Sequence, residues 1–308
     1  MENTRAKTTR NSLILLLTAT IWGMAFVSQS KGMDYMHPFT FNGVRSLIGA
    51  AGILVYILIS RKIAGDKAAK LDWKLNVRAG LLCGIFLTTA STLQQFGIKY
   101  TSVGKAGFIT TLYIIFVPMF GIFLKKKVAP VVWAAAGMAA VGMYLLCMTE
   151  SLRLGAGDIM VFLCAIAFAI QIMTVDHYAA RIDGAVVSCI QFTVCGVVCC
   201  IGALIWGQPT FGQLQDGLGA LLYAGVLSCG VGYTLQIVGQ KGLNPTVAAL
   251  IMSLESVIAT ISGWIAYKIG FLSTDQTLTP RQIAGCVIVF AAVILVQLPP
   301  EWFRFGKK

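Results

Sequence analysis

The sequence predicts an all-α integral membrane protein: ten transmembrane helices arranged as two inverted five-helix repeats. Three observations predict it: an apolar composition, ten separable apolar runs, and a local repeat at a fixed offset. Of the 308 residues, 57% are hydrophobic and only 12% are charged, and the mean hydropathy is +0.80. A soluble domain carries about 25% charged residues. Too little charge is present to coat a water-facing surface, whereas in lipid apolar side chains face outward without penalty.

A membrane span needs about 20 mostly apolar residues. Ten runs qualify: 12–29, 38–60, 79–98, 105–124, 130–148, 157–177, 185–206, 217–238, 246–267 and 280–298. Helix-ending residues separate them, as in Gly65-Asp66-Lys67, Gly155-Ala156-Gly157-Asp158, Gln208-Pro209 and Asn244-Pro245. Arg5, Lys7 and Arg10 precede the first run as in a secretory signal. No small-x-small cleavage site follows, so the first span is expected to be retained.

The repeat is read by laying 93–105, LQQFGIKYTSVGK, on 235–247, LQIVGQKGLNPTV, an offset of 142. Leu93/Leu235, Gln94/Gln236, Gly97/Gly239 and Lys99/Lys241 coincide. The same offset sets Thr110-Thr111-Leu112-Tyr113 on Met252-Ser253-Leu254-Glu255. The expected halves are 12–148 and 155–298. Five spans per half is an odd number, so the two halves have opposite orientation, an architecture frequent in secondary transporters.

The net charge is +12, from 24 basic and 12 acidic residues. Membrane-length runs separate the basic clusters, so they do not form one nucleic-acid surface, and no nucleic acid is expected as a partner. They read instead as a topology signal. With the N-terminus inside, the inner segments hold Arg5, Lys7, Arg10, Arg61, Lys62, Lys67, Lys70, Lys74, Arg78, Lys125, Lys126, Lys127, Arg181, Lys241, Arg304, Lys307 and Lys308. The outer segments hold Lys31, Lys99, Lys105, Arg153, Lys268 and Arg281. This asymmetry places both termini in the cytoplasm of a multi-pass cell-membrane protein. The nine cysteines form no Cys-x-x-Cys pair and lie mostly in apolar runs, so they read as packing residues. No metal site and no cofactor are expected.

At this point the chain resembles the EamA-type members of the drug/metabolite transporter superfamily. Thr20-Ile21-Trp22-Gly23-Met24-Ala25-Phe26 in the first span carries the resemblance, with Pro38-Phe39-Thr40-Phe41-Asn42-Gly43-Val44-Arg45 in the second. Pro118 in the fourth span and Leu254-Glu255-Ser256-Val257 in the ninth extend it. Ser256 stands where the family often has proline, and Lys125-Lys126-Lys127 replaces an acidic residue that often ends the fourth span. The resemblance covers roughly 12–298. It implies a ten-helix inverted-repeat carrier of amino acids, nucleotide sugars, drugs or other metabolites, often outward and often by exchange or ion coupling.

Polar groups inside the runs supply the candidate site. An ionisable group at the bilayer centre costs at least about 2.5–3.5 kcal/mol on insertion scales, so it faces protein or a water-filled cavity. Glu255 is the sharpest case, expected near the middle of its span. It reads as a coupling site for a proton or cation, as a partner for a substrate amine, or as a hydrogen-bonded lock between helices. Arg45 reads as a ligand for a carboxylate or phosphate, or as a structural residue that snorkels outward. Gln94, Gln95, Gln171 and Gln236 offer donors and acceptors that either line a cavity or bond helices together. Trp22, Tyr113 and Phe168 read as cavity walls or as packing. His177 reads as a relay or as an interface residue. Gly80 and Gly84 form a Gly-x-x-x-Gly face for close helix approach.

The expected function is secondary transport of a small metabolite, an amino acid or similar amphipathic solute, by alternating access. Export is the expected direction, driven by proton coupling or exchange. No Walker motif for ATP is present. The alternatives are a lipid-moving or scaffolding membrane protein and, third, an intramembrane enzyme, which needs a nucleophile–base pair or metal cluster. Expected partners are the substrate and the bilayer, with the chain a monomer or homodimer.

Overall fold

A computed structural model describes residues 2–65, 71–124, 130–147, 155–273 and 276–297. Lys67, Lys70, Lys125, Lys126, Lys127, Arg153, Arg304, Lys307 and Lys308 lie outside the described residues. Eight helical segments are long and apolar enough to cross a membrane. They are α1 (Glu2–Gly32), α2 (Pro38–Ala64), α3 (Trp73–Ile98), α4 (Val103–Phe123), α6 (Ala156–Tyr178), α7 (Gly184–Gly207), α8 (Leu218–Gln240) and α9 (Pro245–Lys268). Two further apolar helices, α5 (Pro130–Cys147) and α10 (Pro280–Gln297), have shorter described apolar stretches.

Local chemistry sets the ends. The Asp72 carboxylate accepts from Leu75 N at 3.0 Å and starts α3 six residues before the expected run. Pro38 and Pro245 open α2 and α9, where a missing N–H costs nothing. The Asn244 side chain caps α9 by accepting from Thr246 N at 2.9 Å. His37 Nδ1 accepts from Phe39 N at 3.3 Å. Burial and then the nearby Lys99 charge push the His37 pKa down, which keeps that nitrogen an acceptor.

Four spans depart from a continuous α-helix; α7 ends π-helical over Ala203–Gly207. α4 breaks at Leu112, between Val103–Thr111 and Tyr113–Phe123, six residues before Pro118. α9 breaks at Ser253, between Pro245–Met252 and Leu254–Lys268. α8 is π-helical over Tyr223–Gly232.

Packing follows the 142 offset. α3 lies on α6, and α8 lies on α1. α4 lies on α6, and α9 lies on α1. α2 pairs with α7, and α5 with α10. Gly97 and Gly239, matched at that offset, make equivalent contacts. A Cβ on Gly97 would lie 2.8 Å from the Gly157 oxygen on α6, and one on Gly239 2.8 Å from Leu15 Cγ on α1. Apolar side chains such as Leu54, Val55, Leu58 and Ile59 stay exposed on the outer face of α2, a surface suited to lipid tails rather than water.

The glycine face of α3 meets α7. A Cβ on Gly80 would lie 2.6 Å from Ile190 Cβ, and one on Gly84 2.9 Å from Val194 Cβ. Both neighbours are β-branched and stiff. Gly80→Leu is therefore expected to destabilise by more than about 2 kcal/mol through overpacking. Thermal unfolding of the detergent-solubilised variant checks this; an unchanged Tm contradicts the close approach.

Candidate functional site

Broken helices bring polar side chains to the bundle centre. At each break, hydroxyls satisfy carbonyls that a continuous helix would have used. Thr111 Oγ1 donates to Phe108 O at 2.8 Å, Ser253 Oγ to Leu250 O at 2.7 Å, and Ser256 Oγ to Ser253 O at 2.8 Å. Just past the breaks stand Tyr113 and Glu255, the residues matched at the 142 offset. Tyr113 Oη donates to Glu255 Oε1 at 3.1 Å, joining α4 to α9.

Glu255 and Tyr113 line a narrow central cavity of about 30 Å³. That volume holds water rather than a metabolite. Trp22, Arg45, Gln94, Phe168, Gln171 and Gln236 line the same cavity. Gln95 does not: it is fully buried and donates through Nε2 to the Gln29 carbonyl of α1 at 3.2 Å.

Each lining group is held by identifiable partners. Gln94 Nε2 donates to Thr110 Oγ1 at 3.1 Å. Gln236 Nε2 donates to Gln171 Oε1 at 3.1 Å, joining α8 to α6. The Trp22 and Tyr233 rings lie 4.5 Å apart at 51°, and Phe192 meets Tyr233 edge-on at 5.0 Å. Arg45 Nε donates to Asn42 Oδ1 at 2.8 Å, and the guanidinium sits 5.4 Å from the Phe41 ring centre. Asn42 is fixed in turn by donating to Ser91 Oγ at 3.3 Å. Arg45 thus turns inward, 5% exposed, instead of snorkelling to the interface. The reason is that α2 packs both α7 and α8 at this level, leaving its inner face the polar one.

A guanidinium and a carboxyl side chain therefore share one buried cavity without pairing. Among the described residues the ion pairs are Lys31–Asp34 at 3.0 Å and Lys105–Asp158 at 2.6 Å, and neither Arg45 nor Glu255 takes part. Two buried polar atoms of lining residues, Trp22 Nε1 and Gln29 Oε1, have no protein partner. Such atoms are costly to leave unmade and are suited to a ligand or water. Among the described residues no cluster of three or more His, Cys, Asp or Glu stands ready for a metal. His177 lies off the cavity, 3.4 Å from Arg181 Nη2.

Helical spacing carries the signal for residues that single-residue reading misses. Phe26 and Gln29 lie four and seven after Trp22; Leu87 and Ser91 lie seven and three before Gln94; Cys229 and Tyr233 lie seven and three before Gln236. All line the cavity, because i±3, i±4 and i±7 share a helix face. Ser46 beside Arg45 on α2 and Phe192 on α7 add further walls.

A model of the EamA-like transporter family matches residues 10–148 and again 155–298. An uncharacterized transporter of Archaeoglobus fulgidus is 27% identical over 290 residues, covering 92% of this chain and 84% of that protein. The uncharacterized transporter YwfM of Bacillus subtilis is 24% identical over 294 residues, covering 94% of each. One solved structure superposes with TM-score 0.74 at 16% identity, covering 96% of this chain and 99% of its own, which establishes a shared fold.

Proposed function

Because the chain belongs to the EamA-like transporter family, we propose that it is a secondary transporter that carries an amino acid or similar zwitterionic solute across the cell membrane by alternating access. One observation carries the substrate class: Arg45 and Glu255, of opposite charge, line one buried cavity and leave each other unpaired. The guanidinium takes the substrate carboxylate and the Glu255 carboxylate takes the ammonium. Trp22, Phe168 and Tyr233 form the apolar wall for the side chain, and Gln94, Gln171 and Gln236 line it with amide donors and acceptors.

In this reading all ten helices span, in two inverted halves, 12–148 and 155–298. The exchange of packing partners under the 142 offset supports it, as does the meeting of the two broken helices at Tyr113 and Glu255. The Lys/Arg bias supports cytoplasmic termini. Glu255 couples transport: it alternates between holding a proton and holding the substrate ammonium, which gives proton-coupled export or exchange. Two ties mark the gates. Lys105 Nζ to Asp158 Oδ2 joins the starts of α4 and α6, and Asn11 Nδ2 to Lys241 O at 2.7 Å joins α1 to the end of α8. Alternating access opens one tie while the other holds.

Counterflow in proteoliposomes tests the function: vesicles preloaded with one unlabelled amino acid are expected to accumulate its labelled form. Absence of flux for every zwitterion tried, with lipid movement instead, overturns it in favour of a lipid-moving protein. Tyr113→Phe removes one hydrogen bond to a charged group, worth about 1.5–3 kcal/mol. Transport is expected to fall roughly 10- to 100-fold with the fold intact; wild-type flux contradicts a working Tyr113–Glu255 pair.

A further inference from the structure

Two cavities on the outside of the bundle share a wall where α2 and α8 reach the basic connectors. The first, of about 420 Å³, is an apolar groove between α2 and α8. Missing side chains make it. At Gly49 the helices touch, a Cβ there lying 2.6 Å from Cys229 Cβ. One turn on, a Cβ at Gly52 meets nothing within 4 Å. The second cavity, of about 530 Å³, is polar and includes Arg61, Arg181 and Lys241 with Asp72 and Asp183 in its wall. Tyr56, Thr234 and Val238 line both, so apolar groove and basic pocket are continuous.

The acids are already engaged. Asp183 Oδ1 accepts from Ala185 N at 2.9 Å and Val186 N at 3.1 Å, and Asp72 Oδ1 from Leu75 N at 3.0 Å. The cations keep donors to spare: Lys241 Nζ donates to Ile182 O at 3.2 Å and Arg181 Nη2 to His177 O at 3.3 Å, while an ammonium has three N–H and a guanidinium five. From Gly49 to Ser60 the helix rises roughly 16 Å, about one leaflet of a roughly 30 Å hydrocarbon core.

We propose that this surface is a binding site for one anionic phospholipid, its phosphate held by Arg181 and Lys241 and an acyl chain lying over Gly52. The occupant follows from shape and charge together. A soluble anion has no use for the apolar groove, and a zwitterionic phospholipid brings its own cation toward the three basic side chains. The site stands apart from the central cavity, so it holds or fails independently of the transport reading.

Native mass spectrometry of the full chain in detergent, with added phosphatidylglycerol or phosphatidylcholine, tests it. Phosphatidylglycerol is expected to be retained one per chain at least tenfold better, and to raise Tm where inorganic phosphate at the same concentration does not. Gly52→Leu puts a side chain into the groove, where a Cβ meets nothing within 4 Å, and Arg181→Ala removes an exposed cation. Each is expected to lower that retention about tenfold or more. Equal retention of the two lipids, equal stabilisation by free phosphate, or full retention by a folded Gly52→Leu chain overturns the proposal. Should either variant misfold, the wild-type contrast between headgroups still decides.

Discussion

Glu255→Gln is expected to abolish proton-driven accumulation of substrate in reconstituted vesicles while the protein stays folded. The glutamine keeps an oxygen that accepts from Tyr113 Oη, the partner that holds Glu255 at 3.1 Å. It also removes a carboxylate from a site that is 4% exposed, and taking a charge out of an apolar interior does not itself destabilise. Tm should therefore shift by a few degrees at most. Function should respond far more. Losing the partner of a desolvated ammonium costs about 3–5 kcal/mol, or roughly 10²- to 4 × 10³-fold in substrate affinity, and the one carboxyl side chain among the described residues lining the cavity is gone with it. A pH gradient should then leave the distribution of labelled substrate unchanged. Wild-type accumulation in the variant removes Glu255 from the mechanism.

Arg45→Leu is expected to weaken binding of any carboxylate-bearing substrate by about 2–4 kcal/mol, roughly 30- to 1000-fold in Kd. Arg45→Lys should recover only part of this, because an ammonium does not reproduce the planar fork that meets a carboxylate with two parallel bonds. Paired analogues separate the two charges. A substrate analogue lacking its carboxylate should bind Arg45→Leu and wild type alike. One lacking its amine should be indifferent to Glu255→Gln. Titration calorimetry of the purified variants reads both arms, and a carboxylate-free analogue that loses affinity on Arg45→Leu shows that Arg45 acts by packing and not by charge pairing.

Much of the architecture was legible along the chain, because lipid imposes a one-dimensional rule. Each spanning segment satisfies its own backbone and presents apolar side chains over a fixed length. The runs therefore marked the helices, and Asn244-Pro245 marked the start of α9, whereas the Asp72 cap that begins α3 six residues early showed only in the structure. The 142 offset also had structural content: Gly97 and Gly239 make matched close approaches, and Tyr113 and Glu255 meet. Most of the candidate residues converged on one cavity for a related reason. Polar side chains are so rare inside these runs that each needs a partner or a cavity, and a shared centre meets that need.

Other features depended on contacts between distant segments. Gln95 stands beside Gln94 in the chain, yet the helix turns it about 100° away, toward α1. Arg45 had two readings, inward or snorkelling, and its own stem length permits both. Asn42 and Ser91 decide it, by fixing the guanidinium at the cavity wall. The break in α4 falls at Leu112 and not at Pro118, since hydroxyls and neighbouring helices, more than the proline, set where the backbone leaves its ladder. The sequence by itself determined the solvent, the helices and the pairing of Tyr113 with Glu255 as matched positions. Only the tertiary structure decided that these two touch, that Arg45 faces the same cavity unpaired, and that missing side chains at Gly49 and Gly52 leave a groove toward lipid. Hydropathy acts along one helix at a time, whereas a cavity is made by the packing of several.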